Sequence, residues 1–180
     1  YFFNRKVAFL KEAHAVALFP GGFGTLDEAM ETLTLVQTGK RDPLPLVLVD
    51  EPGGSYWDGL VRFFTEELSS HGYIDGEDYK LFERAESASE AVRKIARFYR
   101  RYHSMRYVDG KLVLRLTSTL DAQMVDRLSG QFSDILAPGG GMAISGPLPA
   151  EADDPELAHL PRLVVDFNRR DFGKLRGLID

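Results

Sequence analysis

The chain has 180 residues, of which 44% are hydrophobic and 27% charged, and its net charge is −5. This composition is typical of one globular domain, or of one domain with a small appendage, and not of a disordered chain. The acidic balance argues against a protein that coats nucleic acid, because such proteins need a basic surface. The absence of cysteine excludes disulfides, thiolate zinc sites, iron–sulfur clusters and cysteine nucleophiles. No apolar run approaches the roughly 20 residues of a membrane-spanning helix.

In the first half of the chain, short and continuously apolar segments alternate with segments whose apolar residues recur at helical spacing. This alternation predicts an α/β fold with a parallel sheet that is buried on both faces. Gly39 and Gly72 are expected to end two of the helices, and Ser87 or Ser89 is expected to cap the fourth. The predicted strands are 14–20, 44–50 and 79–85, and the predicted helices are 2–13, 26–40, 59–72 and 89–102.

After about residue 103 the pattern changes to alternating strands and glycine-rich turns. The predicted elements are a strand at 111–117, a helix at 120–136, a glycine-rich turn and strand at 137–149, an acidic loop at 151–159, a strand at 160–168 and a helix from 172. The β-α-β-β-α order predicts a small α+β domain with an antiparallel sheet. We therefore expect one domain over residues 1–105 and an accessory domain over residues 106–180, with a role in oligomerisation or effector binding.

The segment PGGFGTLDE, residues 20–28, lies between a predicted strand and a predicted helix. Ligands of α/β proteins bind at this place, and the free amides of a helix start bind anions. Gly21, Gly22 and Gly24 allow the backbone to approach a ligand closely. Thr25 can add a hydroxyl donor. These features indicate a phosphate site, with a tight turn in which the glycines serve geometry alone as an equal alternative. The spacing matches neither a P-loop nor the complete dinucleotide motif.

Two further groups of charged residues lie near this segment in the sequence. Glu28 is expected in the first helical turn, where the helix dipole favours the ionised form. A carboxylate there can act on a sugar bonded to the phosphate, or Asp27 and Glu28 can simply satisfy the helix N-terminus. Arg5 and Lys6 precede the strand that leads to the glycines. A guanidinium suits a phosphate or a carboxylate, although such a pair is commonly solvent-facing.

Taken together, Arg5-Lys6 and PGGFGTLDE resemble the motif pair of the LONELY GUY family of nucleoside 5′-monophosphate phosphoribohydrolases. The family pattern is an Arg-Lys pair followed by P-G-G-x-G-T-x-x-E, and both halves occur here. The resemblance is strong over residues 2–38 and looser to about 102. It implies a Rossmann-like nucleotide-binding domain. That domain is expected to be incomplete at its N-terminus, since family members begin with a further strand and glycine-rich loop before the position of Tyr1.

The resemblance implies hydrolysis of the N-glycosidic bond of AMP or N6-modified AMP to a free base and ribose 5-phosphate. Arg5 and Glu28 match the family's catalytic residues, and Lys6 is a possible substrate contact. The residues that match its phosphate-binding loop are Gly21, Gly22, Gly24 and Thr25. Glu28 can stabilise an oxocarbenium-like transition state or orient the attacking water, and Arg5 can hold the phosphate or position Glu28. The alternative is a nucleotide-binding sensor or carrier without catalysis, which needs the glycine loop but not Arg5 and Glu28.

We expect neither a metal nor a cofactor. The four histidines are widely separated, whereas metal ligands cluster, and no lysine lies in a context that suggests a Schiff base. The basic and aromatic run 97–107 is interpreted as a solvated helix end and linker rather than an RNA site, and the glycines at 139–141 as a hairpin connection. We expect a cytoplasmic protein that binds a small nucleotide but neither nucleic acid nor membranes, and the resemblance implies a homodimer or higher homo-oligomer.

Overall fold

The computed structural model describes residues 8–180, and its contacts divide the chain into two units. The first unit comprises the described residues up to Arg97 together with Phe172–Gly177, and the second comprises Phe98–Asp171 together with Leu178–Asp180. The domain division into residues 1–105 and 106–180 stays a prediction.

The first unit contains a three-stranded parallel sheet flanked by helices. Its strands, in order across the sheet, are β1 (Val16–Leu18), β2 (Leu46–Val49) and β3 (Glu83–Ala85). The helices between and after them are α1 (Phe23–Gln37), α2 (Tyr56–Phe63), which continues as the π-helical turn Phe64–Ser69, the 3-10 helix Gly76–Leu81, and α3 (Ala88–Phe98). Residues 8–12 are also helical. The predicted parallel α/β architecture is confirmed.

Strand β2 is apolar at every position because helices cover both of its faces. Leu46 and Leu48 belong to a core that includes Trp57 of α2, while Val47 and Val49 belong to a second core with residues of α3. Successive side chains of a strand point to opposite faces of the sheet. A strand covered by helices on both faces therefore has no solvent side on which a polar residue is tolerated.

The second unit is built on an antiparallel sheet, as predicted, and this sheet has four strands. The strands are β4 (Tyr102–Val108), β5 (Lys111–Leu116), β6 (Met142–Ser145) and β7 (Arg162–Val165), in the order β4-β5-β7-β6. Helix α4 (Ala122–Gln131) connects β5 to β6 through the 3-10 turn Ser133–Ile135, and two further 3-10 turns at Pro149–Glu151 and Pro155–Leu157 precede β7. Helix α5 (Phe172–Ile179) follows β7 in the chain, and its residues up to Gly177 belong to the first unit.

The predicted β-α-β-β-α order omits strand β4, and this prediction is wrong. The helix predicted to run to residue 102 ends at Phe98, and β4 begins at Tyr102. Strands β4 and β5 form a hairpin whose turn places Asp109 at φ 48° and Gly110 at φ 85°. Asp-Gly between strand-like segments is a strong hairpin signal. The helical spacing of the basic and aromatic residues before it masks that signal.

The strand predicted at 79–85 is also only partly correct. Residues up to Leu81 belong to the 3-10 helix Gly76–Leu81, and only Glu83–Ala85 is a strand. Asp75 caps the 3-10 helix, because its Oδ1 accepts a hydrogen bond from the Glu77 N–H at 2.8 Å. Oδ2 of Asp78 accepts from the Asp75 N–H at 2.9 Å. This reciprocal capping favours a helical turn over an extended chain.

The two glycine helix stops and the serine cap predicted in the first unit are confirmed. Gly39 and Gly72 follow helices with φ of 67° and 73°, a conformation that glycine adopts without strain. A Cβ on Gly39 would lie 2.1 Å from the Phe172 ring, so packing also requires glycine there. Ser87 caps α3, since its Oγ accepts a hydrogen bond from the Glu90 N–H at 3.2 Å.

Candidate functional site

The glycine loop connects the carboxyl end of β1 to the start of α1. Helix α1 begins at Phe23, and Gly22 is its N-cap in an extended conformation without a side-chain cap hydrogen bond. The carbonyl of Gly22 accepts from the N–H groups of Thr25 and Leu26 at 3.1 and 3.3 Å. The first N–H groups of a helix have no acceptor within it. They therefore provide donors for an anion at this edge of the sheet.

The structural reason for glycine differs among the three glycine positions of the loop. A Cβ on Gly21 would lie 2.2 Å from Oγ1 of Thr25, so the turn itself requires glycine. Among the described residues, no atom lies within 4 Å of a Cβ built on Gly22 or on Gly24, and neither residue has a positive φ. Internal geometry thus accounts for Gly21. Gly22 and Gly24 instead keep open space over the start of α1.

Glu28 lies in the second turn of α1, not in the first turn as predicted, because the helix begins at Phe23 and has no acidic residue in its first turn. Glu28 lies one turn after Gly24 and Thr25 and therefore on the same side of the helix. Its Oε2 is buried, and no hydrogen-bond donor for it is found in the described part of the chain. Buried polar atoms are nearly always hydrogen-bonded, so this oxygen calls for a partner beyond the described residues. The neighbouring Asp27 is exposed.

An open cavity of about 700 Å³ lies beside the loop, at the carboxyl ends of β1 and β2. This size is within the range of small-molecule sites, and the location is that expected for ligands of parallel sheets. The residues that line the cavity are Phe19, Pro20, Asp50, Glu51, Gly54, Ser55 and Tyr56.

Sequence reasoning missed the contribution of the loop after β2, in which it predicted no site residue. Asp50 and Tyr56 line the cavity, and the Tyr56 hydroxyl donates to the Gly21 carbonyl. A signal was available, since a strand, glycines and a helix start follow one another here just as they do around Gly21.

The remaining predicted site residues, Arg5 and Lys6, lie outside the described residues. Gly21, Gly22, Gly24, Thr25 and Glu28 are brought together at the start of α1. The roles of these residues in catalysis and phosphate binding stay predictions.

Two other sequence features do not form sites of this kind. Arg106, in the basic and aromatic run, is paired with Asp153 and Asp154 at 3.0 and 3.2 Å. In the glycine-rich turn, the Gly141 N–H donates to Oδ2 of Asp166 at 3.0 Å, and a Cβ on Gly140 would lie 2.5 Å from the Asp166 side chain. These glycines therefore serve the connection to β6.

Residues 1–95 match the sequence model of the family described as "Possible lysine decarboxylase". Within residues 8–180, no group of three metal-binding side chains comes together, and none of the helices has the length and apolar character needed to cross a membrane.

Several curated plant proteins are similar to the chain. It is 29% identical over 103 residues to a probable cytokinin riboside 5′-monophosphate phosphoribohydrolase of Oryza sativa subsp. japonica, covering 57% of this chain and 44% of that protein. Two cytokinin riboside 5′-monophosphate phosphoribohydrolases of Arabidopsis thaliana are also similar. The first is 29% identical over 127 residues, which cover 70% of this chain and 51% of that protein. The second is 32% identical over 96 residues, which cover 53% of this chain and 42% of that protein. The chain thus spans about half the length of the curated relatives that it matches.

Proposed function

This chain belongs to the family described as possible lysine decarboxylase, and we propose that the protein hydrolyses nucleoside 5′-monophosphates at the N-glycosidic bond. The products are the free base and ribose 5-phosphate. The names of the plant relatives support this reaction. Within the chain, the observation that carries the proposal is the buried Oε2 of Glu28, which has no donor among the described residues and lies one helical turn from the glycine loop.

The N-terminus of α1 is the proposed phosphate site. Phosphate is an anion with several acceptor oxygens, and a helix start supplies both free N–H donors and the positive end of the helix dipole. Gly22 and Gly24 leave the space for a close approach, since a Cβ on either would meet no described atom within 4 Å. Thr25 can donate from its hydroxyl on the same turn.

Glu28 is the proposed catalytic carboxylate. With the phosphate at the first turn of α1, the ribose extends toward the second turn, where Glu28 lies. As the bond between C1′ and the base nitrogen breaks, positive charge develops on the sugar, and a carboxylate stabilises that charge. Glu28 also accepts a proton from the attacking water, whose oxygen bonds to C1′. The electron pair of the broken bond passes to the base, which takes up a proton, so that one water is consumed for each base released.

Arg5 and Lys6 are assigned by their match to the family pattern. We propose that Arg5 binds the phosphate or orients Glu28, and that Lys6 contacts the substrate. AMP or an N6-modified AMP is the proposed substrate. A cytoplasmic homodimer or higher homo-oligomer without a cofactor is the proposed form of the enzyme.

The ion pairs of three lysines argue against a decarboxylase reaction that depends on a lysine Schiff base. Lys80 pairs with Glu77, Lys94 with Glu83 and Lys111 with Asp166. Each of these lysines is engaged in an ion pair with a carboxylate, whereas a Schiff-base lysine must approach the carbonyl carbon of its cofactor or substrate.

Incubation of the full-length protein with AMP tests the proposal. We expect stoichiometric adenine and ribose 5-phosphate, measured by chromatography. If AMP and its N6-modified forms bind, as judged by calorimetry, but no base is released, the protein is a sensor or carrier and the proposal is wrong.

A further inference from the structure

The first unit contains a hydrogen-bonded link between the two loops that follow β1 and β2. The Tyr56 hydroxyl donates to the carbonyl of Gly21 at 2.5 Å, although the two residues are 35 positions apart in the sequence. We call this link, together with the contacts that hold Tyr56 in place, the Tyr56 bridge. It joins the start of α2 to the glycine loop before α1.

Asp50 holds the backbone of Tyr56. Its Oδ2 accepts from the Tyr56 N–H at 2.9 Å, and its Oδ1 accepts from the Glu51 N–H at 3.0 Å. A Cβ on Gly54 would lie 2.3 Å from Asp50 Oδ1, so glycine at that position lets the carboxylate enter the loop. One side chain at the end of β2 thus fixes both ends of the connection to α2.

Trp57 holds the ring of Tyr56 from the other side. It is completely buried, and its Nε1 donates to the Val49 carbonyl at 3.0 Å. The rings of Tyr56 and Trp57 meet edge to face with their centres 4.7 Å apart, a favourable geometry for two aromatic rings. The Tyr56 ring therefore packs against a side chain that is anchored to the sheet, and its hydroxyl reaches the Gly21 carbonyl.

A hydrogen bond to the Gly21 carbonyl also orients the next amide. In a trans peptide the C=O and the following N–H point in opposite directions, so the Gly22 N–H points away from the Tyr56 hydroxyl. Gly21 and Gly22 flank this peptide, and glycine places little restriction on its rotation. Without an external bond, the Gly21–Gly22 peptide is free to turn over.

From these contacts we infer that Tyr56 is a positioning residue, which locks the Gly21–Gly22 peptide so that the Gly22 N–H is available to an anionic phosphate oxygen. This inference rests on the proposed function for its ligand, a nucleoside 5′-monophosphate. The orientation of the peptide itself does not depend on the ligand and can be measured in the free protein.

The test compares Tyr56→Phe with Tyr79→Phe. Both substitutions remove one hydroxyl donor in the same unit, because the Tyr79 hydroxyl bonds to Oγ1 of Thr65 at 3.1 Å and Tyr79 lies outside the cavity beside the loop. In ¹⁵N-labelled free protein, Tyr56→Phe should shift the Gly22 amide resonance, because the Gly21 carbonyl of the same peptide loses its hydrogen bond. Tyr79→Phe should leave the Gly22 amide unchanged.

Asp50→Asn is a second variant on the same link. An asparagine has one acceptor oxygen where aspartate has two, so the Tyr56 N–H or the Glu51 N–H loses its partner, and the Gly22 amide should respond in the same direction. If the Gly22 amide resonance is unchanged in both Tyr56→Phe and Asp50→Asn, the Tyr56 bridge does not orient the Gly21–Gly22 peptide, and the inference is wrong.

Binding of inorganic phosphate and of AMP then tests the consequence for the site. For Tyr56→Phe we expect both dissociation constants and the KM for AMP to rise by roughly threefold to tenfold, with kcat nearly unchanged because Glu28 is untouched. A shifted Gly22 amide resonance with unchanged phosphate affinity overturns the positioning role. Failure of the wild-type protein to release adenine would count against the proposed function alone, because the amide measurement stands without it.

Discussion

Arg162 and Glu151 form an ion pair in which both side chains are completely shielded from solvent, with Nε donating to Oε2 at 3.1 Å. Oε1 of Glu151 accepts from Nε of Arg115 at 2.9 Å, and the Leu148 N–H donates to Oε2 at 3.1 Å. A buried charge is tolerated when its hydrogen bonds are satisfied in this way. The acidic segment predicted as a loop at 151–159 is thus attached to β5 and β7 by its first residue.

Replacement of Glu151 by glutamine should destabilise the second unit strongly. Two buried guanidinium groups would lose their shared carboxylate, and removal of one partner of a buried ion pair costs about 3–5 kcal/mol. Urea unfolding followed by circular dichroism measures this loss. Glu156→Gln is the matched control, since Glu156 is exposed in the same segment, and it should change the free energy of unfolding by less than about 0.5 kcal/mol. Equal stability of the two variants would contradict the structural role of Glu151.

The same carboxylate should make the second unit sensitive to acid. Burial by itself raises the pKa of the Glu151 carboxyl, but the hydrogen bonds from the Leu148 N–H, Arg162 and Arg115 outweigh this effect and lower the pKa from 4.5 to about 2. The folded protein therefore binds the proton more weakly than the unfolded chain. The stabilisation from Glu151 is fully present above pH 4.5 and is lost as the pH falls toward 2.

Urea unfolding at a series of pH values between about 6 and 2 checks this dependence. This range covers the ordinary pKa of a glutamate carboxyl, about 4, and the lowered pKa of Glu151 in the folded protein. The wild-type free energy of unfolding should fall across this window more steeply than that of Glu151→Gln. Parallel curves for the two proteins would show that Glu151 titrates alike in the folded and unfolded states.

Alanine at Gly24 should separate folding from binding. Within α1, replacement of glycine by alanine stabilises a helix by up to about 1 kcal/mol, and a Cβ at Gly24 meets no described atom within 4 Å. The melting temperature should therefore stay level or rise, while the added methyl group occupies the space proposed for phosphate and raises the KM for AMP at least about tenfold, the equivalent of roughly 1.4 kcal/mol. Thermal denaturation and steady-state kinetics measure the two effects.

Gly21→Ala is the informative contrast. Its Cβ would lie 2.2 Å from Oγ1 of Thr25, so this variant should lose stability as well as binding. A Gly24→Ala protein with wild-type KM would mean that the phosphate does not lie over the start of α1.

Glu28→Gln should reduce kcat by at least about 100-fold, in line with the loss of a group that transfers a proton or stabilises charge in the transition state. The amide keeps the shape of the side chain, so the dissociation constant for AMP should stay within about threefold of the wild-type value, a change in binding free energy of less than about 1 kcal/mol. Calorimetry and adenine release measure the two quantities. Asp27→Asn is the control, because Asp27 is the adjacent carboxylate and is exposed; it should retain activity. A fully active Glu28→Gln protein would rule out the catalytic role.

Local signals in the sequence predict most elements of the fold. The run Leu46–Val49 is apolar because both faces of β2 are covered, and Gly39 ends α1 because its φ of 67° suits glycine. The hairpin of β4 and β5 was also predictable from Asp109-Gly110, but the helical spacing before it suggested a different element. Two local patterns of similar strength competed there, and pairing with β5 decided between them.

The candidate site is predictable to a smaller extent. The glycine loop and Glu28 are visible as a motif, and their position after an apolar strand indicates a ligand site. The motif does not reveal which glycines the turn itself requires. That distinction depends on the space around each backbone position, which is crowded by Thr25 at Gly21 and open, among the described residues, at Gly22 and Gly24.

The sequence by itself determined the alternation of strands and helices, the glycine loop at the end of β1 and the family pattern that contains Glu28. It did so because helix periodicity, strand burial and glycine turns depend on residues that are close along the chain. Only the tertiary structure decided that Tyr56 bonds to Gly21 across 35 residues, that Glu28 lies in the second turn of α1 with a buried oxygen, and that Glu151 is shared by two buried arginines. These relationships arise when the strands align and bring distant loops together, and no local pattern encodes them.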